Sequence, residues 1–364
     1  MYFNPMLRDI ASYEAGKPIE LVVREYGIKR EDIVKLASNE NPYGTSPKVL
    51  QSIHLEDMSL YPDDSYYELK DGLAAHYGVD SQNIIIGSGS DQIIEFCIHA
   101  LHKEGFKILH AGITFAMYGI YAKLYGAKVL KTPDDAHNLA QFLESYQTHK
   151  PDIIFLCVPN NPLGECLESK QIEDFLAHIS PDTLVVIDGA YQEYAAYKDS
   201  ARGIAPAYFI DKYPNVIYLG TFSKVYGLGG MRVGYGIAQK DIITALHKVR
   251  APFNITTLSL QAAISALKDQ EFIRSCIQKN FEQMTRYEEF ATTNGIGFIP
   301  SYTNFITYHS EQIQSTKLCQ WLLERGVIVR DLASYSLNAF RITIGTQEQN
   351  TRVFALMQEY FSNN

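Results

Sequence analysis

Short apolar runs that alternate with amphipathic stretches limit the folds open to this chain more than any other feature of its sequence. The runs cover residues 83–87, 107–110, 153–158, 183–188 and 216–220. Each is continuously hydrophobic rather than alternating, which is typical of strands covered on both faces in a mainly parallel sheet. We therefore predict an α/β fold, with a large domain whose sheet carries helices on both faces and binds ligands at the carboxyl ends of its strands.

The pattern changes near Pro252, where the βα alternation stops. The elements predicted after it are a helical stretch at 256–293, strands at 304–308, 327–329 and 340–344, and a helix at 316–325. These favour a second, smaller α+β domain. The N-terminal residues have little periodicity and many turn formers. We therefore expect an N-terminal arm and part of the small domain at 1–45, the large domain at 46–252, and the small C-terminal domain at 253–364.

Composition and charge exclude several classes of function. Of the 364 residues 46% are hydrophobic and 20% charged, a balance typical of globular proteins with a substantial core. The net charge of −9 argues against nucleic acid and anionic membranes as partners. The chain begins without a basic segment before an apolar run, and no apolar stretch approaches the ~20 residues that span a bilayer. We therefore expect a cytoplasmic protein.

The cysteine and histidine spacing does not predict a metal site. The five cysteines are scattered and never form C-x-x-C, so neither a disulfide framework nor a thiolate zinc site is indicated. Glu95, His99 and His102 share helical spacing and could meet a metal, but a solvated face of an amphipathic helix explains that spacing equally well.

The segment 216–232 carries the most informative chemistry. A predicted strand ends in a glycine-rich loop that holds Lys224 close to Thr221 and Ser223, with Arg232 eight residues further on. A buried amine can form a Schiff base with a carbonyl group, and hydroxyls with an arginine suit a phosphate dianion. An isolated Ser-Lys pair is most often a surface turn, so this motif needs support from other segments.

Three further segments follow apolar runs. Asp188 closes one run and Tyr191 follows it, an arrangement that suits a carboxylate holding a protonated ring nitrogen or, alternatively, a helix cap. Asn161 lies in a Pro/Asn-rich segment that is equally typical of a plain turn. Residues 87–92 open a predicted helix whose free amides can receive a phosphate. They also resemble a dinucleotide fingerprint, but Gln92 occupies its third glycine position.

Taken in chain order, these four segments resemble the aspartate aminotransferase family of fold type I pyridoxal-5′-phosphate enzymes over nearly the whole chain. The resemblance makes the large domain the cofactor-binding one, with Lys224 as the Schiff-base lysine and Asp188 as partner of the pyridinium nitrogen. It implies that Asn161 and Tyr191 contact the ring hydroxyl and that Phe115 stacks on the ring, where many relatives have tyrosine. The residues implied around the cofactor phosphate are Ser90, Asp91, Gln92, Thr221, Ser223 and Arg232.

Within that family the chain is most similar to members that act on histidinol phosphate. The matching stretches are 13–18, 36–44, 61–63, 329–331 and 340–345. The resemblance implies a homodimer in which Tyr61 reaches the cofactor and substrate of the partner site. It also implies that Arg330 and Arg341 bind the substrate phosphate, with Tyr13 and Asn161 as further substrate contacts. Two alternatives stay open, namely Arg341 in a structural ion pair and Tyr61 as a packing residue.

The function implied is a transaminase of histidine biosynthesis that interconverts histidinol phosphate and 2-oxoglutarate with imidazole-acetol phosphate and glutamate. Aromatic aminotransferases and threonine-phosphate decarboxylases on the same fold are the nearest alternatives, since they share most cofactor contacts. A nonenzymatic ligand-sensing module is disfavoured because no basic DNA-binding extension precedes the domain. A nicotinamide-dependent oxidoreductase is disfavoured by the missing third glycine.

Overall fold

The computed structural model describes Leu7, Ile10 and residues 17–363. The strands in this part of the chain are β1 (Val34–Lys35), β2 (Ile84–Gly87), β3 (Lys107–His110), β4 (Lys128–Lys131), β5 (Ile153–Cys157), β6 (Leu184–Asp188), β7 (Val216–Thr221), β8 (Gly234–Ala238), β9 (Gly297–Ile299), β10 (Phe305–His309), β11 (Val327–Ile328), β12 (Arg330–Asp331) and β13 (Ala339–Thr343). The helices are α1 (Ile19–Tyr26), α2 (Pro47–Ser52), α3 (Tyr67–Tyr77), α4 (Gly89–Leu101), α5 (Met117–Leu124), α6 (Leu139–His149), α7 (Ser169–Leu176), α8 (Gln192–Lys198), α9 (Pro206–Lys212), α10 (Lys240–His247), α11 (Thr257–Leu267), α12 (Gln270–Thr293), α13 (Ser315–Leu323) and α14 (Gln347–Asn363).

A seven-stranded sheet forms the centre of the large domain, in the order β2-β8-β7-β6-β5-β3-β4. Strand β8 runs antiparallel to both of its neighbours, and the other pairings are parallel. All residues of β5, β6 and β7 are buried, with apolar clusters on both faces of the sheet. Continuous hydrophobicity in the sequence therefore corresponds to double-sided burial, and the predicted fold class is confirmed.

The register of the parallel strands fixes where polar side chains gather. Cys157 at the end of β5 pairs with Asp188 at the end of β6, and Asp188 pairs with Leu219 of β7. Strand β7 continues to Thr221, three residues before Lys224. The carboxyl ends of three neighbouring strands therefore meet at one edge, as expected for ligand binding in such sheets.

A four-stranded antiparallel sheet in the order β12-β13-β10-β9 forms the smaller α+β unit. Its core includes apolar side chains from α12, α13 and α14, such as Met284, Leu318 and Met357. The helical stretch predicted at 256–293 is two helices, which meet at Asp269. Its carboxylate is bonded by Ser46 Oγ and Lys48 Nζ, and this distant contact holds the chain where the helix breaks.

Helix α11 packs against α2 and α3, and its buried alanines belong to the same apolar cluster as the large sheet. The domain boundaries at 45 and 252 stay predictions.

The N-terminal part contains more regular structure than its turn-rich sequence indicated. Helix α1 lies between Pro18 and Gly27, and Gly27 takes the left-handed conformation with φ 67°. Strand β1 pairs in parallel with β11. Residues 36–45, which we call the strap, then run from β1 to the lysine loop, where Asn41 Nδ2 donates to the Val225 carbonyl at 2.8 Å. Among the helices of the described residues, none combines the length and apolar character needed to cross a membrane.

Candidate active site

One cavity lies at the carboxyl ends of β5, β6 and β7, beside the first turn of α4. Its lining consists of Gly89, Ser90, Asp91, Phe115, Cys157, Asn161, Asp188, Ala190, Tyr191, Thr221, Ser223, Lys224 and Arg232. Residues from five separate stretches of sequence therefore meet here. They include all of the predicted cofactor contacts except Gln92 and Tyr61.

Asp188 supplies the buried carboxyl group of this cavity. The carboxylate accepts hydrogen bonds from the Tyr118 hydroxyl at 2.7 Å and from the Ala190 amide at 3.2 Å. Burial raises the pKa of Asp188 above its ordinary value, although the Tyr118 and Ala190 donors oppose the shift. A buried carboxylate is costly unless a cation or donors meet it, so this site fits a ring N–H⁺.

Lys224 enters the cavity from the loop after β7. The Ser223 amide donates to Thr221 Oγ1 at 3.1 Å, and the Gly227 amide donates to the Lys224 carbonyl at 3.0 Å. These bonds fold the loop tightly around the lysine. Nζ of Lys224 lies 5.5 Å from the centre of the Tyr191 ring, and its charge acts to lower the pKa of Asp188. The structure thus places the amine and the buried carboxylate in one cavity.

Cationic and hydroxyl groups gather at the end of the cavity next to α4. Arg232 donates to Ser223 Oγ at 3.3 Å and to the Gly229 carbonyl at 3.2 Å. A Cβ at position 89 would lie 2.6 Å from Arg232 Nη2, so only glycine leaves the guanidinium its place. The backbone amides in the first turn of α4, which begins at Gly89, have no intrahelical acceptor. This end of the cavity therefore fits a phosphate dianion.

Asp91 brings a second carboxylate to the cavity wall. It accepts a hydrogen bond from the Tyr121 hydroxyl at 2.9 Å, and burial raises its pKa above the ordinary value.

The predicted ring contacts adjoin the predicted substrate arginine. Arg341 donates to Asn161 Oδ1 and, at 2.8 Å, to the Ala37 carbonyl of the strap. The Tyr191 hydroxyl accepts a hydrogen bond from Asn39 Nδ2 at 2.8 Å. Asn161 and Arg341 are 180 residues apart in sequence, so only the packing of the small sheet against the large domain brings them together.

Phe115 lines the cavity and packs edge to face on Tyr118, with ring centres 5.6 Å apart. Tyr118 in turn stacks on Phe155 and holds Asp188. Sequence reasoning assigned no role to Tyr118 or to Asn39. Asn39 lies in the matching stretch 36–44, and Tyr118 follows Phe115 by three residues, but the sequence does not show the contacts that these two side chains make.

Two predicted residues, Gln92 and Tyr61, do not line this cavity. Gln92 Oε1 instead accepts hydrogen bonds from the Ser88 amide and from Asn254 Nδ2, both at 2.7 Å. Tyr61 is 82% exposed and stacks on Phe253 at 4.7 Å. Tyr13 lies outside the described residues.

Arg330 lines a neighbouring cavity that also reaches Phe115. It stands directly opposite Arg341 in the β12–β13 ladder, so both side chains leave the same face of the small sheet. Lys123 and Lys131 line the same cavity, which gives it a cationic wall in a chain of net charge −9. The two predicted substrate arginines are therefore neighbours on the small sheet, and Arg341 contacts the first cavity through Asn161.

Comparisons with known proteins agree over the whole length of the chain. The family model described as aminotransferase class I and II matches residues 31–355, which include every residue that lines the first cavity. The histidinol-phosphate aminotransferase of Aliarcobacter butzleri (strain RM4018) is 62% identical over 366 residues, with 100% of both chains covered. That of Helicobacter hepaticus (strain ATCC 51449 / 3B1) is 60% identical over 364 residues, with 98% of each chain covered.

A solved structure shares the fold. The histidinol-phosphate aminotransferase from Sinorhizobium meliloti in complex with pyridoxal-5′-phosphate aligns with a TM-score of 0.88 and 26% identity. The alignment covers 97% of this chain and 95% of the other, so both sheets take part in it.

Proposed function

The chain belongs to the class I and II aminotransferase family, and on that basis we propose that it transfers the amino group of histidinol phosphate to 2-oxoglutarate. The products are imidazole-acetol phosphate and glutamate, and the reaction belongs to histidine biosynthesis. Relatives with this activity in their names are 54–62% identical to the chain, which favours it over an aromatic aminotransferase or a threonine-phosphate decarboxylase. The observation that carries the proposal is the shared cavity of Lys224 and Asp188, with Arg341 bonded to Asn161 beside it.

The residues present fit pyridoxal 5′-phosphate. When bound, this cofactor supplies an aldehyde for amines and a ring that accepts the electron pair of the substrate α-carbon. Asp188 would hold a proton on the ring nitrogen, and Tyr191 would bond the ring oxygen. Lys224 would bind the aldehyde and, once released by the substrate amine, would take the proton from the α-carbon and deliver it to the cofactor's C4′.

One end of the site would hold the cofactor phosphate, and the other end would bind the anionic group of the substrate. Arg232, Ser223 and the first turn of α4 would hold the cofactor phosphate. Arg341 would take either the phosphate of one substrate or the carboxylate of the other, because a guanidinium matches both anions. One cavity can therefore serve both half-reactions.

A substrate panel tests the proposed function. Purified protein with pyridoxal phosphate and 2-oxoglutarate should form glutamate with histidinol phosphate faster than with phenylalanine. Threonine phosphate should release no carbon dioxide. Carbon dioxide release, or a preference for phenylalanine, would contradict the proposal.

Replacing Arg330 with alanine should selectively lower the activity toward phosphorylated substrates. A hydrogen bond to a charged group contributes about 1.5–3 kcal/mol, so kcat/KM for histidinol phosphate should fall roughly 10- to 150-fold. The value for phenylalanine should change much less. Arg330→Lys keeps the charge and should recover part of the loss. An equal loss toward both substrates would indicate damage to the fold instead.

We also propose that the chain works as a homodimer and that Tyr61 reaches the partner's site. Tyr61 lies in an exposed apolar patch with Met58, Leu60 and Phe253. Contiguous exposed patches of this kind mark interaction surfaces, and a second copy of the chain is the commonest partner. Action in the cytoplasm stays a prediction.

Mixed dimers test the role of Tyr61. We expect Tyr61→Ala and Lys224→Ala to be poorly active or inactive alone. A hybrid of the two should regain activity, because one of its sites combines an intact Lys224 with an intact Tyr61. The control hybrid of Lys224→Ala with Asp188→Asn should stay inactive, since both changes affect groups that one chain supplies. No recovery in verified Tyr61→Ala hybrids would count against the shared site.

A further inference from the structure

We propose that Asn39 is a positioning residue that directs the hydroxyl proton of Tyr191 toward the cofactor's ring oxygen. Asn39 is 2% exposed and lies in the strap at φ 55°, a conformation that asparagine tolerates better than most residues. Its Nδ2 donates to the Tyr191 hydroxyl at 2.8 Å. The inference rests on the proposed function and adds a residue to which no role has been assigned.

Thr343 holds the Asn39 amide in one orientation. The backbone N–H of Asn39 donates to Thr343 Oγ1 at 2.9 Å, and Thr343 Oγ1 donates back to Asn39 Oδ1 at 3.1 Å. Both residues are buried. In the reversed orientation Oγ1 would face two donors from Asn39, and its own proton would lose the acceptor that it has in Asn39 Oδ1. A buried donor without an acceptor costs about 1–3 kcal/mol, so Nδ2 faces Tyr191.

The amide orientation decides what the Tyr191 hydroxyl does. Since the hydroxyl oxygen accepts a hydrogen bond from Asn39 Nδ2, its own hydrogen points to another acceptor. Tyr191 lines the cavity, where the ring oxygen of the cofactor would be that acceptor. Burial raises the pKa of the Tyr191 phenol, so it stays a proton donor. The other ionisable groups around it include Arg341, Asp188, Cys157, Lys224 and Tyr194.

The bond between Asn39 and Thr343 also connects the cofactor ring site with the strand that carries the predicted substrate arginine. Thr343 lies two residues after Arg341 on β13, so their side chains share a face. Arg341 also bonds the strap, through the Ala37 carbonyl. The strap therefore connects the strand that carries Arg341 with the hydroxyl that contacts the ring.

Asn39→Asp is the decisive variant because it keeps the shape and replaces the donor with an acceptor. The aspartate would accept a hydrogen bond from the Tyr191 hydroxyl. The ionised ring oxygen of the cofactor would then lose this hydrogen-bond donor. The visible absorbance band of the bound cofactor should then titrate at least about one pH unit higher, a tenfold change in proton affinity. Thr343→Val, which frees the amide to turn, should shift the midpoint in the same direction. Thr343→Ser keeps the hydroxyl and should leave it in place.

Asn39→Asp changes both a charge and a hydrogen bond, and making it in the Tyr191→Phe variant distinguishes the two effects. In Tyr191→Phe the same substitution should move the midpoint little, because the hydroxyl through which Asn39 acts is gone. A full shift in that background, or an unshifted midpoint in both Asn39→Asp and Thr343→Val, would overturn the inference. A wild-type protein without any cofactor band would instead contradict the proposed function. Melting temperatures of the variants identify those that fail to fold.

Discussion

Replacing Lys224 with alanine is expected to lower kcat by more than about 10⁴-fold. General acid–base transfer alone contributes roughly 10²–10⁴-fold, and the variant also loses the covalent bond to the cofactor. The amine shares one cavity with Asp188, and in our proposal no other residue takes its place as proton carrier. The measurement is glutamate formation, together with intact mass after borohydride reduction. Wild type should gain the mass of one reduced cofactor per chain, and the variant none.

A matched lysine shows whether the effect is specific. Lys170 on α7 is exposed and pairs with Asp174 at 2.7 Å, a surface contact worth about 0–1 kcal/mol. Lys170→Ala should keep normal kcat and cofactor mass. Near-normal transamination by Lys224→Ala would reject the assignment of the catalytic lysine.

Replacing Asp188 with asparagine is expected to lower kcat/KM by about 10²–10⁴-fold. Removing one partner of a buried charge pair costs about 3–5 kcal/mol, and each 1.36 kcal/mol is tenfold in rate. Asparagine keeps the size and an oxygen for the Tyr118 hydroxyl, but it cannot hold the ring nitrogen's proton as an anion does. The visible spectrum of the bound cofactor should change along with the rate.

The same variant should stabilise the cofactor-free protein at neutral pH. Burial raises the pKa of Asp188, so the folded state favours its neutral form. The contribution of this group to the free energy of unfolding is fully present below pH 3.8, its ordinary pKa. That contribution is lost as the pH rises through the raised pKa of the folded state. Asp188→Asn should therefore raise the melting temperature more at pH 7 than near pH 4. A lower melting temperature at pH 7 would show that the ionised carboxylate stabilises the empty fold.

The sequence predicted the large sheet and its site edge because the physical signal is local. An apolar run of five or six residues must be buried on both faces, and parallel strands place their carboxyl ends together. Asp188 and Thr221 each end such a run, and Lys224 follows a few residues later. Their meeting in one cavity follows from strand order and register alone.

Where a prediction depended on which side of an element a residue faces, the sequence was less informative. Ser90, Asp91 and Gln92 are adjacent in α4, but successive residues in a helix point about 100° apart. The first two reach the cavity, whereas Gln92 faces Ser88 and Asn254. One of these two partners, Asn254, lies 162 residues away, so the motif alone does not show which of the three residues reach the cavity.

The amino-acid sequence by itself determined the strands, the family and the groups that meet at the sheet edge, since burial and short motifs are encoded residue by residue. Only the tertiary structure decided the partners of those groups. The bonds of Asn39 to Tyr191, Tyr118 to Asp188 and Arg341 to Asn161 span 152, 70 and 180 residues. A hydrogen bond needs its atoms within about 3 Å and correctly aligned. Hydrophobic patterning fixes which face is buried, but only the packing of the strap and both sheets sets such distances.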